Sequence, residues 1–322
     1  MGHTAAVLGA SGFSGGEVVR LLAGHPEIEL CVAGAGDRAG RPLAETNPAL
    51  AGVSDDVLVP VDEAVEADTD LCLSCLPPGA LSERVDRIRA RVVIDLSDEN
   101  RAVPSWVYGL TEFARSSLTG ATRVANPGCY PTAMLLALVP FAAEALVTGP
   151  IVVDAVSGTS GAGRSAQDRL SHAVVAGGAG AYGSVHHRHV PEMERALGAF
   201  GNLAGVVSFT PHLVPMARGL VATVRAPLAG DLADAEPLEV LAEAYAGEPF
   251  VRVLPEWPST KSVAGSNRAL VTARVDARAS FLVASCAIDN LGKGAAGQAI
   301  QNANVVLGLK EDCGLGAVGM WP

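Results

Sequence analysis

The strongest constraint on the fold of this chain lies at its start. An apolar run, residues 4–8 (TAAVL), leads into Gly9-Ala10-Ser11-Gly12-Phe13-Ser14-Gly15, and residues 14–23 then set Val18, Leu21 and Leu22 on one helical face. His25-Pro26 ends that helix. Strand, glycine turn and helix in this order open a βαβ unit, and G-x-x-G-x-x-G is a variant of the dinucleotide fingerprint. The glycines allow a tight turn and close backbone approach to a pyrophosphate, whose charge a helix N-terminus favours. Gly9, Ser11, Gly12, Phe13, Ser14 and Gly15 are therefore read as cofactor-binding. A glycine triplet alone would be weak evidence; its place between strand and helix decides the reading.

The alternation continues. Strands are expected at 28–33 (IELCVA), at 70–76 (DLCLSCL, closed by Pro77-Pro78) and at 91–96 (RVVIDL), with helix-like sequence at 80–90. Strands alternating with helices imply a parallel sheet. Beyond about residue 128 the pattern changes. Strands at 151–156, 205–209, 219–225, 269–275 and 281–288 are separated by longer segments, with one helix at 229–247 and a last one at 293–307. The fold class is α/β: a Rossmann-like doubly wound nucleotide domain plus an α+β domain with a mostly antiparallel sheet. The 322 residues, 49% hydrophobic but only 4% aromatic, suffice for two such cores filled by Ala, Val and Leu.

The formal charge is −11 and there is no basic run, which argues against nucleic acid as a partner. No apolar stretch reaches the ~20 residues of a membrane span. The six cysteines, Cys31, Cys72, Cys75, Cys129, Cys286 and Cys313, are too sparse for a disulfide scaffold, and no secretion signal precedes them. A cytoplasmic location is expected. Neither H-x-x-x-H nor a second C-x-x-C accompanies Cys72 and Cys75, so no metal is expected.

Residues 125–132 read Ala-Asn-Pro-Gly-Cys-Tyr-Pro-Thr, with Cys129 in a turn just before an apolar helix at about 132–146. Helix N-termini stabilise thiolates, the form that attacks acyl groups. The other cysteines lie in or near apolar strands and read as inert; a buried small hydrophobe is the competing reading for Cys129. After the second strand, Asp37 suits an NAD ribose and Arg38 a 2′-phosphate, with Arg38 favouring NADP. The segment Ser157-Gly158-Thr159-Ser160-Gly161-Ala162-Gly163-Arg164 is either an ordinary turn or an anion loop offering backbone N–H groups and a guanidinium. Arg188 and Arg218 are further anion candidates. Residue types do not choose an acid/base among His186, His187, His189 and His212.

Taken together, GASGFSGGEVVRLL (9–22), ANPGCYPTA (125–133), SGTSGAGR (157–164), HRHVPEM (187–193), FTPHLVPMARG (209–219) and DNLGKGAAGQAIQN (289–302) resemble the N-acetyl-gamma-glutamyl-phosphate reductase family, relatives of aspartate-semialdehyde dehydrogenase. The segments run in the family's order over nearly the whole chain. The resemblance implies a nucleophile at Cys129 and an acid/base at His189, oriented by Glu192. It implies NADP(H) held by the glycine loop, Arg38, Pro77 and Asn290, and an acyl phosphate held by Asn126, Ser157, Gly158, Arg164, His187 and Arg188. It implies that the last helix returns to the nucleotide domain, giving domains 1–128 plus 290–322 and 129–289, and that the protein is a homodimer or homotetramer. The implied reaction is reductive dephosphorylation to a semialdehyde through a cysteine thioester. Two departures stand out. The segment 97–113 is shorter than the family pattern, and AGAGDRAGRP lacks the usual start of that loop. They leave an alternative, a relative acting on an aminoadipyl phosphate or on one linked to a carrier protein. A regulatory protein that kept the fold without the chemistry, and a sugar-phosphate aldehyde dehydrogenase, fit the quoted segments less well.

Overall fold

In the computed structural model, which describes residues 2–230 and 236–320, the chain divides into two units. One runs to Gly128 and takes up Ala295–Leu315; the other holds Cys129–Gly294 and the segment from Gly316. The tail after Leu315 thus groups with the second unit.

The first unit is built on seven parallel strands: β1 (His3–Leu8), β2 (Ile28–Ala35), β3 (Val59–Pro60), β4 (Leu71–Ser74), β5 (Val92–Asp95), β6 (Val107–Tyr108) and β7 (Arg123–Ala125). Their order is β3-β2-β1-β4-β5-β7-β6. β4 and β5 are buried along their whole length, as strands covered on both faces must be, which is why they are apolar up to their last residues, Ser74 and Asp95. The helices of this unit are α1 (Phe13–Leu22), α2 (Leu43–Thr46), α3 (Val61–Val65), α4 (Thr111–Leu118) and, from the far end of the chain, α9 (Gly297–Leu307). Strand order reverses between β1 and β4. The loops leaving those two strands therefore flank the crevice where open α/β sheets bind ligands.

The helix expected at 80–90 does not form. Turns and a single 3-10 turn at Val85–Arg87 replace it. Of residues 80–90 only Leu81 and Ala90 are buried, so no apolar stripe exists to hold a helix against the sheet. Arg84 and Arg87 instead reach the carboxylates of Asp62 and Glu66.

In the second unit α5 (Cys129–Ala143) is buried from Tyr130 to Ala142, hydrophobic on every side and so fit only for a core. It packs on a sheet of β8 (Ile151–Ser157), β9 (Gly180–Ala181), β10 (Val207–Leu213), β11 (Leu220–Pro227), β12 (Val251–Val253), β13 (Ala269–Asp276) and β14 (Phe281–Ile288). The order is β12-β13-β14-β11-β8-β10-β9. β8–β10 and β12–β13 are parallel and the other neighbours antiparallel, so the sheet is mixed. α6 (His172–Val175), α7 (Val190–Gly201) and α8 (Glu236–Ala244) complete the unit. The helix expected at 229–247 is realised as α8; residues 231–235 of that expectation lie outside the described residues. β8 and β11 alternate strictly. Ile151, Val153 and Ala155 face the core, while Val152, Asp154 and Val156 lie half-exposed on the other face.

Two helix starts differ from the expected ones. α5 begins at Cys129 itself, so the cysteine is the first residue of the helix. The last helix opens with a wide π-turn, Gly292–Ala296, before its α-helical part. The Asp289 carboxylate accepts the N–H groups of Leu291 and Gly292 there and anchors that turn. Among the described residues no helix is long and apolar enough to cross a membrane, and no His, Cys, Asp and Glu cluster could hold a metal ion.

Candidate active site

The glycine loop follows β1 directly. Gly9 has φ +80°, where side chains are disfavoured, and a Cβ there would lie 2.8 Å from the Cys75 carbonyl on the loop after β4. A Cβ on Gly15 would overlap the Gly9 carbonyl and stand 2.8 Å from the Ala10 Cα. The Gly12 N–H returns to the Gly9 carbonyl at 3.1 Å. Gly12 is the N-cap of α1 and has no side chain to cap the first-turn N–H groups. This is a bare backbone cradle at a helix N-terminus, and it fits the pyrophosphate of a dinucleotide. Phe13, 39% exposed, stands on the same turn. Pro77 is exposed on the loop after β4, across the switch point. Arg38, with Arg41 close behind it, follows β2; neither guanidinium has a hydrogen-bond or ion-pair partner among the described residues. Asp37 is exposed beside them.

In the second unit the residue after Cys129 organises an aromatic cluster. The Tyr130 ring lies edge-on to His187 at 5.6 Å, His189 at 5.9 Å and Phe209 at 5.0 Å between centroids. His187 and His189 are 4.8 Å apart. The Tyr130 and Tyr182 hydroxyls share a hydrogen bond of 2.8 Å. Burial pushes both phenols well above the ordinary tyrosine range. Burial, with the Arg188 charge beside it, lowers His187 to about 4. Its Nδ1 accepts the backbone N–H of His189 at 3.2 Å, so the neutral ring carries its proton on Nε2 as a donor. His189 is the N-cap of α7, is 5% exposed, and has Glu192 one turn further along the helix, itself 4% exposed. The structure thus gathers Cys129, His187, His189 and Glu192 in one unit. His212, the rival histidine, lies in β10 and pairs across to β9.

Cys129 is hemmed in by Gly294. A Cβ at that position would stand 2.8 Å from the Cys129 Cβ and 3.3 Å from its Cα. Of the other thiols, Cys72 and Cys286 are buried and Cys31 is exposed. Burial pushes Cys72 to about 12 and Cys75 higher, and it raises Cys31 and Cys313 as well.

The segment Ser157–Arg164 needs correction as a backbone anion loop. The N–H groups of Gly158, Thr159 and Ser160 donate to the carbonyls of Gly219, Met216 and Ala217, and those of Gly161 and Gly163 to Gly158 and Ser160. A Cβ on Gly158 would lie 2.8 Å from two of those carbonyls, which explains the glycine. Ser157 is buried at the end of β8, while Arg164 and Arg188 are exposed cations. Arg218 already reaches Asp289 at 3.4 Å. Asn290, assigned to the cofactor, is 3% exposed, accepts the Gly219 N–H and donates to Ser160 Oγ, both at 2.8 Å. In this unit it braces the 157–164 segment.

Asn126, assigned to the substrate, is fully buried in the first unit with its amide bonded to Asn302, Ala295 and Pro127. Arg101, Asn302, Tyr182 and Gly294 received no role from the sequence. Four buried amides, Gln298, Gln301, Asn302 and Asn304, within one helical segment were the available signal for Asn302.

Two family models match the chain. The semialdehyde dehydrogenase NAD-binding domain covers residues 4–121, and the semialdehyde dehydrogenase dimerisation domain covers 129–290. N-acetyl-gamma-glutamyl-phosphate reductase of Salinispora arenicola is 45% identical, and that of Acidothermus cellulolyticus 43%, each covering all of both chains. Among solved structures, aspartate semialdehyde dehydrogenase II of Vibrio cholerae superposes with a TM-score of 0.77 at 19% identity, covering 95% of this chain and 98% of that one. The Candida albicans enzyme, solved with NADP, gives 0.69 at 16%, covering 95% and 98%. These structures share the fold. The full-length relatives go further, and with both domain models matched in order the chain belongs to the semialdehyde dehydrogenase family, among the N-acetyl-gamma-glutamyl-phosphate reductases.

Proposed function

We propose that the protein reduces N-acetyl-gamma-glutamyl phosphate to N-acetylglutamate 5-semialdehyde with NADPH, releasing phosphate, as a step of arginine biosynthesis. The observation that carries this reading is Cys129 at the first turn of α5, with the Tyr130 ring bringing His187 and His189 alongside.

The helix N-terminus favours the Cys129 thiolate. The thiolate attacks the acyl carbonyl, phosphate leaves, and a thioester remains. The bound dihydronicotinamide supplies the hydride that takes the thioester to the aldehyde level. His189, oriented by Glu192, holds the proton taken from the Cys129 thiol, gives it to the hemithioacetal oxygen formed when hydride reaches the thioester carbon, and takes it back as the C–S bond breaks to release the semialdehyde and the thiolate. His187, neutral with its proton on Nε2, is suited to donate to an acyl or phosphoryl oxygen without itself titrating near neutral pH. Arg164 and Arg188 are exposed cations proposed to meet the anionic substrate. The backbone of Gly9–Gly15 would hold the cofactor pyrophosphate and Pro77 its flank. Arg38, without an internal partner, favours the 2′-phosphate of NADP over NAD. The half-exposed outer face of β8 and β11 supports a homodimer or homotetramer through the sheet. Thiols at Cys31, Cys72, Cys75 and Cys313 suit the reducing cytoplasm.

The test is phosphate- or arsenate-dependent reduction of NADP, and separately NAD, with N-acetylglutamate semialdehyde. Turnover with NADP that vanishes in Cys129→Ala is expected. Turnover retained in that variant removes the thioester mechanism, and equal turnover with NAD removes the role of Arg38.

A further inference from the structure

Building on that reading, we infer that Asn126 is a positioning residue for the nucleophile, held by a directional hydrogen-bond chain from α9 and by Arg101. Each polar group of Asn126 is engaged. Its N–H donates to the Asp95 carbonyl at 2.8 Å. Its carbonyl accepts Arg101 Nε at 2.9 Å, and the same guanidinium reaches the Leu96 carbonyl at 3.1 Å. Its Oδ1 accepts Asn302 Nδ2 at 3.1 Å. Its Nδ2 donates to the Ala295 carbonyl at 3.1 Å and the Pro127 carbonyl at 3.4 Å.

The chain behind Asn302 has one consistent sense. Gln298 Nε2 donates to Thr111 Oγ1, the Thr111 hydroxyl donates to Asn302 Oδ1 at 2.7 Å, and Asn302 Nδ2 donates onward to Asn126 and to the Gly109 carbonyl at 2.9 Å. Gln298, Thr111, Asn302 and Asn126 are all 0% exposed, so no water competes for these bonds. Gly109 is kept clear for the amide: a Cβ there would lie 2.5 Å from Asn302 Nδ2. The result is a turn, Asn126-Pro127-Gly128, whose backbone is fixed from two directions immediately before Cys129. Around Asn126 and Asn302 every side-chain amide group is paired, and that pairing holds one conformation, because any other leaves buried donors without acceptors. Its function is to set the backbone that delivers the sulfur, and a displacement of about 1 Å at a reacting atom costs about 10²-fold in rate.

The test compares Asn302→Ala and Arg101→Lys with Gln301→Ala. Gln301 is an equally buried amide on the same helix, but its bonds run to Glu112 and Glu311. Melting temperature, kcat, KM for both substrates and the rate of Cys129 alkylation by iodoacetamide, read on the Cys129 peptide by mass spectrometry, are measured for each. Asn302→Ala is expected to lower kcat about 10²-fold with both KM values nearly unchanged. It is expected to slow alkylation about tenfold, since the oriented thiolate is the reacting form. Arg101→Lys, which keeps the charge but cannot bridge two carbonyls, moves both readouts the same way and serves if Asn302→Ala does not fold. Gln301→Ala lowers the melting temperature alone. The inference is overturned if Asn302→Ala and Arg101→Lys resemble Gln301→Ala, with kcat and alkylation unchanged per folded site. If the parent protein turns over no acyl phosphate, the reaction proposed above fails, and the alkylation comparison still decides the positioning role.

Discussion

Replacing Gly294 by Ala is the sharpest probe of the packing around Cys129, the proposed nucleophile. The added Cβ would stand 2.8 Å from the Cys129 Cβ and 3.3 Å from its Cα. Carbon atoms in contact sit about 3.5–4.0 Å apart, so one of the two must move by about 1 Å. Gly294 has little room to retreat, because its N–H is bonded to the Asp289 carbonyl at 2.9 Å and Asp289 is itself fully buried. The displacement therefore falls largely on Cys129. Overpacking of this kind costs about 1–3 kcal/mol, which for a protein of this size lowers the melting temperature by roughly 2–10 °C. The chemical penalty is larger, about 10²-fold in kcat, because the attacking sulfur leaves its line of approach. The assay is steady-state reduction at saturating substrate and cofactor, with circular dichroism to confirm folding. KM for NADP(H) should change little, since the glycine cradle belongs to the first unit. A folded Gly294→Ala protein with kcat within twofold of the parent would refute the argument, showing that the π-turn absorbs a methyl group without moving the cysteine.

Gly15→Ala should abolish tight NADP(H) binding, because its Cβ overlaps the Gly9 carbonyl and the loop must open; isothermal titration should show at least a ~30-fold rise in Kd, about 2 kcal/mol. Stability should also depend on pH in a defined window. His187, at about 4, and His25, lowered mainly by burial, both have folded values below the ordinary 6.5. In that window the unfolded chain binds the extra protons, so stability is full above pH 6.5 and falls as pH drops toward 4. Urea melts between pH 7.5 and 4.5 should show this slope, and His187→Gln should reduce it; a slope unchanged in that variant would remove His187 as a contributor.

Much of this protein was legible in its sequence because the relevant signals are local. The glycine loop stands out because of its place between strand and helix, and the strands β4 and β5 are apolar up to their last residues, Ser74 and Asp95, because both faces are covered. Cys129 stood out through the turn residues beside it and the apolar helix it begins. The failures share a cause. At 80–90 a locally helical pattern offered the core only Leu81 and Ala90 as buried residues, and tertiary packing settled it as turns. The Gly-rich segment 157–164 looked open to an anion, but its N–H groups are taken by residues 158–160 within it and by 216–219, some sixty positions away. The family resemblance assigns Asn126 to the substrate and Asn290 to the cofactor, and no local pattern records the internal partners that the fold gives them. Their partners, Asn302 and Arg101 for one, Ser160 and Gly219 for the other, are distant in sequence. The sequence by itself determined the fold class and the glycine loop and singled out the cysteine proposed as nucleophile, since these follow from periodicity and backbone chemistry within short windows. Only the tertiary structure decided which polar groups remain available, because hydrogen-bond capacity is consumed by whichever partner the fold brings within 3 Å or so, and no local pattern records that choice.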